Sequence, residues 1–527
     1  MIHLMRDRPS RTNSIPPVPP PGDGAAAPTA GLRSSIGSRR LAACWLIALA
    51  IPAVAPADEP APERGPGSGP ERPNVILIMF DDLGYADLGF QGSEHADSPH
   101  IDEMAANSLV FERFYAQAPV CSPTRGSALT GRHPFRYGVF FANTGHLPED
   151  ELNLAVLLRD RGYRTGMFGK WHLGTLTTEV EDANRGRPGD DRHFAPPWQR
   201  GFEVCFATES KVPTFDPMIR PRDFEHLPGN LQHWWDPVTD PDQRAAYGTR
   251  YWNEAGEEVT ESLEGPNARV IMDRAIPFIE QAVEEGKPFF AVIWFHEPHW
   301  PVVAGPDDTA PFDHLSRFEQ HYYGCIRAAD EQVGRLRATL RRLGVADDTM
   351  LWLTSDNGPE GRASMPGSAG FLRGRKRDLY DGGVRVPGLL EWPRRVTEAR
   401  VTAMPAVTSD YLPTVADLLG LELPADRPLD GVSLMPLIDG ASEERPAPIP
   451  FQSNGRIALV DNRFKLIHYG PGRHFAEPPY EWQLYDMPAD PGERNDLAAE
   501  HPEVVEQMAA HLEQWNESVR GCLDRVE

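Results

Sequence analysis

After Asn74 the chain runs Val-Ile-Leu-Ile-Met-Phe to residue 80, six apolar positions without a polar break. A strand-length run with no alternation suits a parallel strand buried on both faces. The same reading gives strands at 163–168, 288–295 and 349–354. Apolar positions at helical spacing predict helices at 152–161, 268–285 and 318–343. Strand and helix in alternation predict an α/β domain built on a mostly parallel sheet flanked by helices. Residues 174–265 are rich in Pro, Trp, Arg and Asp and show no period. They read as a long insertion near the mouth of a site. Past Gly440 the pattern changes: a hairpin is predicted at 456–468, turning at Asp461-Asn462, then an amphipathic helix at 503–519. These form a smaller C-terminal α+β subdomain.

The first residues read differently. An apolar run from Leu41 to Ala57 follows Arg39-Arg40 and ends Ala55-Pro56-Ala57. It is short for a bilayer span and is interrupted by Pro52 and Pro56. Basic start, apolar middle and small-residue end predict a secretory leader over 1–57, then a Pro/Gly/Glu-rich linker over 58–72. Ser38-Arg39-Arg40 fits twin-arginine export. Periplasmic or secreted destination is the expectation, with no stable membrane insertion once the leader is cleaved; an uncleaved anchor is the alternative. The expected division is then 73–440 for a catalytic domain and 441–527 for the C-terminal subdomain.

Composition narrows the partners. The 527 residues carry a formal net charge of −25 although the leader is net basic. Such acidity argues against a nucleic-acid partner, whose phosphates need clustered cations. An anionic substrate would need a local cationic pocket. Five cysteines are too few for a disulfide scaffold.

Chemistry gathers where the predicted strands end. The first is followed by Asp81-Asp82, the second by Gly169-Lys170-Trp171-His172, the third by His296-Glu297-Pro298-His299, and the fourth, after Ser355, by Asp356-Asn357-Gly358. Ligands of open α/β sheets bind outside the carboxyl ends of the strands. Asp-Asp and Asp-Asn-Gly are also turn formers, but four such ends together point to a site. Asp81, Asp82, Asp356 and Asn357 offer hard oxygen donors, which suit calcium, with magnesium as the alternative, better than zinc. Arg125, Lys170 and Lys376 could hold a tetrahedral oxyanion. Arg373, Arg375 and Arg377 compete with Lys376 for the inward position. His172 and His299 can carry protons near neutral pH, with His296 a competitor in the same loop.

One further motif decides the reading: Cys121-Ser122-Pro123-Thr124-Arg125, followed by Gly126-Ser127-Ala128-Leu129-Thr130-Gly131-Arg132. Pro123 suits the first turn of a helix, so Cys121 would sit at a helix N-terminus, where free N–H groups favour an anion. The pattern resembles the sulfatase signature, in which the Cys is oxidised to a formylglycine aldehyde. Further markers follow the same family in order: Asp81-Asp82-Leu83-Gly84-Tyr85, Ser98-Pro99-His100-Ile101-Asp102, Gly169-Lys170-Trp171-His172-Leu173-Gly174, Pro298-His299-Trp300-Pro301, Asp356-Asn357-Gly358 and Gly382-Gly383-Val384-Arg385-Val386-Pro387. From Arg72 to Val519 the chain resembles a formylglycine-dependent sulfatase of the alkaline-phosphatase-like superfamily, of the arylsulfatase and N-acetylgalactosamine-6-sulfatase type.

The resemblance implies an alkaline-phosphatase-like fold and a calcium-dependent sulfuric ester hydrolase, with a sulfated small molecule or saccharide as substrate. It implies a formylglycine-generating enzyme as maturation partner. Residue 121 becomes the nucleophile and a metal contact beside Asp81, Asp82, Asp356 and Asn357. Its hydrated aldehyde attacks sulfur with one hydroxyl, and the second expels sulfate from the ester. Arg125 and Lys170 stabilise the hydrated aldehyde, His172 takes a proton as the ester collapses, and His299 and Lys376 bind sulfate and assist the leaving oxygen. Asp381 stands where the family usually has Glu, and Arg375 where a small residue usually precedes the Lys. With Cys44 lost in the leader and Cys121 converted, Cys205, Cys325 and Cys522 could form one bridge. A phosphonate or phosphodiester hydrolase of the same superfamily and a non-catalytic sulfated-glycan-binding protein are the rival readings.

Overall fold

In the computed structural model, residues 72–224, 233–470 and 474–523 are described. The predicted leader, and the linker up to residue 71, lie outside the described residues. Asn74–Phe80 is a strand buried at all seven positions. Its side chains alternate between two apolar cores: Val75, Leu77 and Met79 enter one, Ile76, Ile78 and Phe80 the other. This two-sided burial is why the sequence shows a continuous apolar run instead of alternation.

Asn74–Phe80 pairs in parallel with Phe289–Trp294 on one side and Thr349–Ser355 on the other; Val75 lies opposite both Phe290 and Met350. Arg164–Lys170 and Val204–Thr208 extend the parallel set beyond Phe289–Trp294. Five parallel strands therefore form the middle of a ten-stranded sheet. Gly388–Glu391 and Leu109–Phe111 continue it antiparallel past Thr349–Ser355, and Arg400–Thr402 closes that edge. At the far edge Tyr251–Asn253 and Glu258–Val259 add two short antiparallel strands.

Helices Asn267–Glu284 and Arg317–Arg342 cover one face, placing Ile271, Ile279, Ile326 and Val333 in the core with Ile76 and Ile78. The longer helix starts at Ser316, which forms a reciprocal capping box with Glu319. The other face carries Cys121–Thr130, Leu154–Arg159 and Tyr411–Leu418, which bring Ala128, Leu129, Leu158 and Leu412 against Leu77 and Met79. Asn153 caps the second of these through the Ala155 and Val156 N–H groups.

The region 174–265, expected to be a long, partly ordered insertion, contributes strands to the main sheet. Val204–Thr208, Tyr251–Asn253 and Glu258–Val259 belong to the main sheet. The apolar run at 204–207 is short and lies among Pro- and Trp-rich neighbours, so its signal is masked. Just past Val204–Thr208, the Glu209 carbonyl accepts from the His172 N–H at the carboxyl end of the neighbouring strand.

The C-terminal sheet is antiparallel: Ile449–Ser453, Arg456–Val460, Phe464–Tyr469 and Trp482–Asp486, packed by helix Pro502–Leu523. Its central hairpin turns at Asp461, whose carboxylate accepts from the N–H groups of Arg463 and Phe464. The four cysteines among the described residues are all free thiols, so the possible bridge among Cys205, Cys325 and Cys522 is not formed.

Candidate active site

The ends of the parallel strands and the start of the Cys121 helix meet at one place. Asp81 and Asp82 follow Asn74–Phe80; Lys170 ends Arg164–Lys170; Asp356 follows Thr349–Ser355; Cys121 is the first residue of its helix. Asp82 and His172 hold left-handed backbones, with φ of 67° and 57°. Such conformations cost about 1–3 kcal/mol each and persist only where the surroundings enforce them. The Gly382-Gly383 pair has a steric role here: a Cβ on Gly383 would lie 2.1 Å from the Asp378 carbonyl oxygen. Only Gly lets that turn fold back to present Lys376.

Every charge in the cluster is buried. Lys170 Nζ lies 2.5 Å from Asp81 Oδ2. Arg125 donates to Asp356 Oδ2 from NH2 at 2.6 Å and Nε at 3.1 Å, and its guanidinium lies over the Trp294 ring. Lys376 Nζ donates to both oxygens of Asp82, at 2.5 and 2.8 Å, and stands 3.4 Å from Glu360. Lys376 is thus the inward cation of its crowded loop. Arg377 pairs with Glu360 near the surface, Arg375 binds the Glu360 and Pro366 carbonyls, and Arg373 reaches Tyr485 and the Glu493 carbonyl.

Burial would raise the Asp81 carboxyl, but Lys170, His299, Arg125 and Lys376 hold it well below the usual range. Burial dominates at Asp82, which is raised despite Lys376, and at Asp356, pushed up to about 7 by burial and the neighbouring Asp81. The Cys121 thiol is also raised by burial, against the pull of Lys170 and Lys376. An unmodified thiol here is therefore a poor nucleophile.

Donor atoms of Asp81, Asp82, Cys121 and His299 lie within 4.8 Å of one another. Asp81 Oδ1 and Asn357 Oδ1 are buried oxygens without a hydrogen-bond partner. Unanswered buried acceptors are rare unless a cation or water completes them. The oxygen donors of this group, Asp81 and Asp82 with Asn357 Oδ1, fit a hard divalent cation, whereas the Cys121 thiol and the His299 imidazole are softer ligands. Of the predicted ligands, Asp356 contacts Arg125, and Asn357 donates through Nδ2 to Asp82 at 2.6 Å, leaving its Oδ1 free.

The two histidines are set up differently. His299 Nδ1 donates to the Trp300 carbonyl at 2.6 Å, which leaves the Nε2 lone pair 3.6 Å from Asp82. His172 Nε2 meets Asn143 Oδ1 at 2.8 Å, and its Nδ1 is buried without a partner. Burial, then Lys170, keeps His172 neutral; burial, with Lys376, Lys170 and Lys211, does the same for His299 against the pull of Asp81. His296 is a satisfied structural residue, bound to Thr208 Oγ1 and Asn267 Nδ2.

Sequence reasoning missed Asn143, which orients His172, and Glu360, which holds Lys376. It also missed Lys211, whose ammonium lies 3.4 Å from the Trp300 ring centroid. The signal for Lys211 was its place three residues beyond a fifth parallel strand, Val204–Thr208, which the insertion hid. Among the aromatic and histidine residues of 174–265, Trp234 stacks on His321 and Trp235 is buried against Phe224. His193 pairs with His146, and His233 lines a crevice with Asp82 and Trp300.

Known proteins share this arrangement of sequence. The Sulfatase family model matches residues 73–421, and the N-sulphoglucosamine sulphohydrolase C-terminal model matches 369–518. Arylsulfatase A of Homo sapiens is 32% identical, covering 83% of this chain and 86% of that protein. N-acetylgalactosamine-6-sulfatase of Homo sapiens is 29% identical, covering 85% and 87%. Among solved structures, Ps i-CgsB in complex with k-i-k-neocarrahexaose superposes with a TM-score of 0.69 at 27% identity, covering 85% of this chain and 93% of that one.

Proposed function

The chain belongs to the sulfatase family, a sulfuric ester hydrolase, and from that premise we propose that it releases sulfate from a sulfated carbohydrate with a formylglycine made from Cys121 and a bound calcium ion. The observation that carries this reading is the meeting of Cys121 with Asp81, Asp82 and His299 at the strand ends, beside two buried lysines. The saccharide substrate is supported by the family of relatives and by the complexed saccharide of the structural neighbour.

Asp81, Asp82, residue 121 and Asn357 Oδ1 would hold the calcium, which when bound would draw charge from the sulfate oxygens and favour ionisation of a nearby hydroxyl. Lys170 and Lys376 flank residue 121 and stabilise the oxyanion as the S–O bond breaks. Arg125 anchors Asp356 and faces Asp81 at 3.7 Å, which fixes the carboxylate floor. His172 Nδ1 is a free, buried lone pair and the natural acceptor for the proton released from residue 121. On the other side the Lys376 ammonium is the proton donor for the leaving oxygen, and His299 Nε2, which carries a lone pair here, joins it only after taking up a proton. Maturation needs a formylglycine-generating enzyme. Export is supported by the basic-apolar leader; among the described residues no helix is long and apolar enough to cross a membrane.

A panel of defined sulfated saccharides with 4-nitrophenyl sulfate tests the reading, after residue 121 has been confirmed as an aldehyde. Sulfate release from at least one saccharide, faster than from the aryl ester, is expected. Release from the aryl ester alone would sink the carbohydrate substrate.

A further inference from the structure

Beside the catalytic cluster lies a cavity of about 280 Å³, near the lower bound of roughly 300 Å³ for small-ligand sites. Its walls include Asn184, Ser210, Lys211, Phe224, Tyr247 and Trp300. Both ends of the wall run to the reacting centre. Asn184 Nδ2 donates to Ser210 Oγ at 2.8 Å and to Asn143 Oδ1 at 3.1 Å, the oxygen that meets His172. Trp300 follows His299 directly and stacks on it.

Lys211 is the only charged residue among the described residues of this lining. Its ammonium sits on the Trp300 ring, and no carboxylate among the described residues lies within ion-pair distance of it. The nearby carboxylates are committed elsewhere: Glu209 to Arg185, Asp81 to Lys170, and Asp82 to Lys376. Burial, with Lys170 and Lys376 close by, pushes Lys211 down to about 8. A largely buried cation without a counter-ion is unfavourable unless an anion arrives to complete it. The scissile sulfate already has Lys170 and Lys376. Aromatic walls suit the flat apolar face of a ring, and the polar walls its hydroxyls.

We propose that this cavity takes the sugar ring beside the scissile sulfate and that Lys211 selects a second anionic group on the substrate, a further sulfate or a carboxylate. The assignment rests on the carbohydrate-sulfatase reading above and narrows it to multiply charged saccharides. Lys211 is a specificity residue in this account; it does not touch the breaking bond.

The test compares wild type, Lys211→Met and Lys211→Arg, matched for aldehyde content at residue 121. Substrates are 4-nitrophenyl sulfate and three saccharides sharing one scissile sulfate position: neutral monosulfated, disulfated, and sulfated with a uronate carboxylate. Wild type is expected to favour at least one doubly anionic saccharide over the neutral one by about 10- to 100-fold in kcat/KM, the worth of one charge-assisted contact. The difference should lie mainly in KM, vanish in Lys211→Met and largely return in Lys211→Arg. Preference for the disulfated saccharide alone identifies a second sulfate; preference for the uronate alone identifies a carboxylate. Equal kcat/KM across the saccharides, or a preference that survives in Lys211→Met, overturns the proposal while sulfate release leaves the parent reading standing. Release from no saccharide overturns both. If Lys211→Met does not fold, the wild-type ratio and Lys211→Arg decide the matter.

Discussion

Two of the buried ion clusters among the described residues have opposite characters. In the first, Lys465 of the C-terminal sheet reaches Asp381 at 2.7 Å and Glu493 at 2.8 Å, with all three side chains fully enclosed. Asp381 also accepts from Tyr115, and its own N–H donates to Glu493. The lysine ammonium stands within ion-pair distance of both acids, and in that sense the cluster is closed, although Glu493 Oε1 makes no hydrogen bond. In the second, at the strand ends, Lys170, Lys376 and Arg125 face Asp81, Asp82 and Asp356, yet Asp81 Oδ1, Asn357 Oδ1 and His172 Nδ1 are left without partners. The first ties the C-terminal sheet to the Gly382-Gly383 turn; the second is arranged to receive something. Both are buried and both pair lysine with carboxylates. What separates them is the greater unfilled bonding capacity at the strand ends, three atoms against Glu493 Oε1 alone, and the left-handed backbones of Asp82 and His172.

The comparison can be broken by removing one member of each cluster. Cys121→Ala should lower sulfate release by about 10³-fold or more, since loss of a covalent nucleophile leaves only binding and oxyanion stabilisation. Its melting temperature should hardly move; a large drop would mean that Cys121 is a core residue first. His172→Ala should cost about 10²- to 10⁴-fold in kcat, the usual range for a lost proton carrier. An unchanged kcat would remove His172 from the reaction. In the closed cluster, Lys465→Met leaves two buried acids facing each other. It should destabilise the fold by about 3–5 kcal/mol in denaturant titration, with kcat/KM per folded molecule little altered. A selective loss of activity would instead make the C-terminal sheet part of the catalytic apparatus. Chelation sharpens the contrast least violently. Removing calcium should lower stability by about 2–3 kcal/mol relative to protein held at 100 times its dissociation constant, reversibly on calcium addition. A protein indifferent to chelator would speak against a metal in the open cluster.

The legibility of these features in the sequence follows from their physics. The strand at 74–80 was plain because burial on both faces forces an unbroken apolar run. The strand-end acids were plain because they follow such runs directly. The choice of Lys376 over Arg373, Arg375 and Arg377 was not, since four cations in five positions carry the same local signal and only the fold of the Gly382-Gly383 turn decides which points inward. His296 and His299 were equally ambiguous, being three residues apart in one loop. Thr208 and Asn267, distant in sequence, are what make His296 structural. Asp381, which departs from the Glu usual in the family, supports the turn through Lys465 and Tyr115 and keeps clear of the chemistry. Lys211 escaped notice because its strand pairs with partners more than thirty residues away, inside a region whose composition suggests loop.

The central claim is that the open cluster works through a converted residue 121. The direct measurement is the mass of the peptide spanning Cys121, from protein made in its native host, alongside sulfate release by the same preparation. The account predicts formylglycine at residue 121 and activity that rises in proportion to the converted fraction. A fully active preparation in which residue 121 is an intact thiol would contradict it.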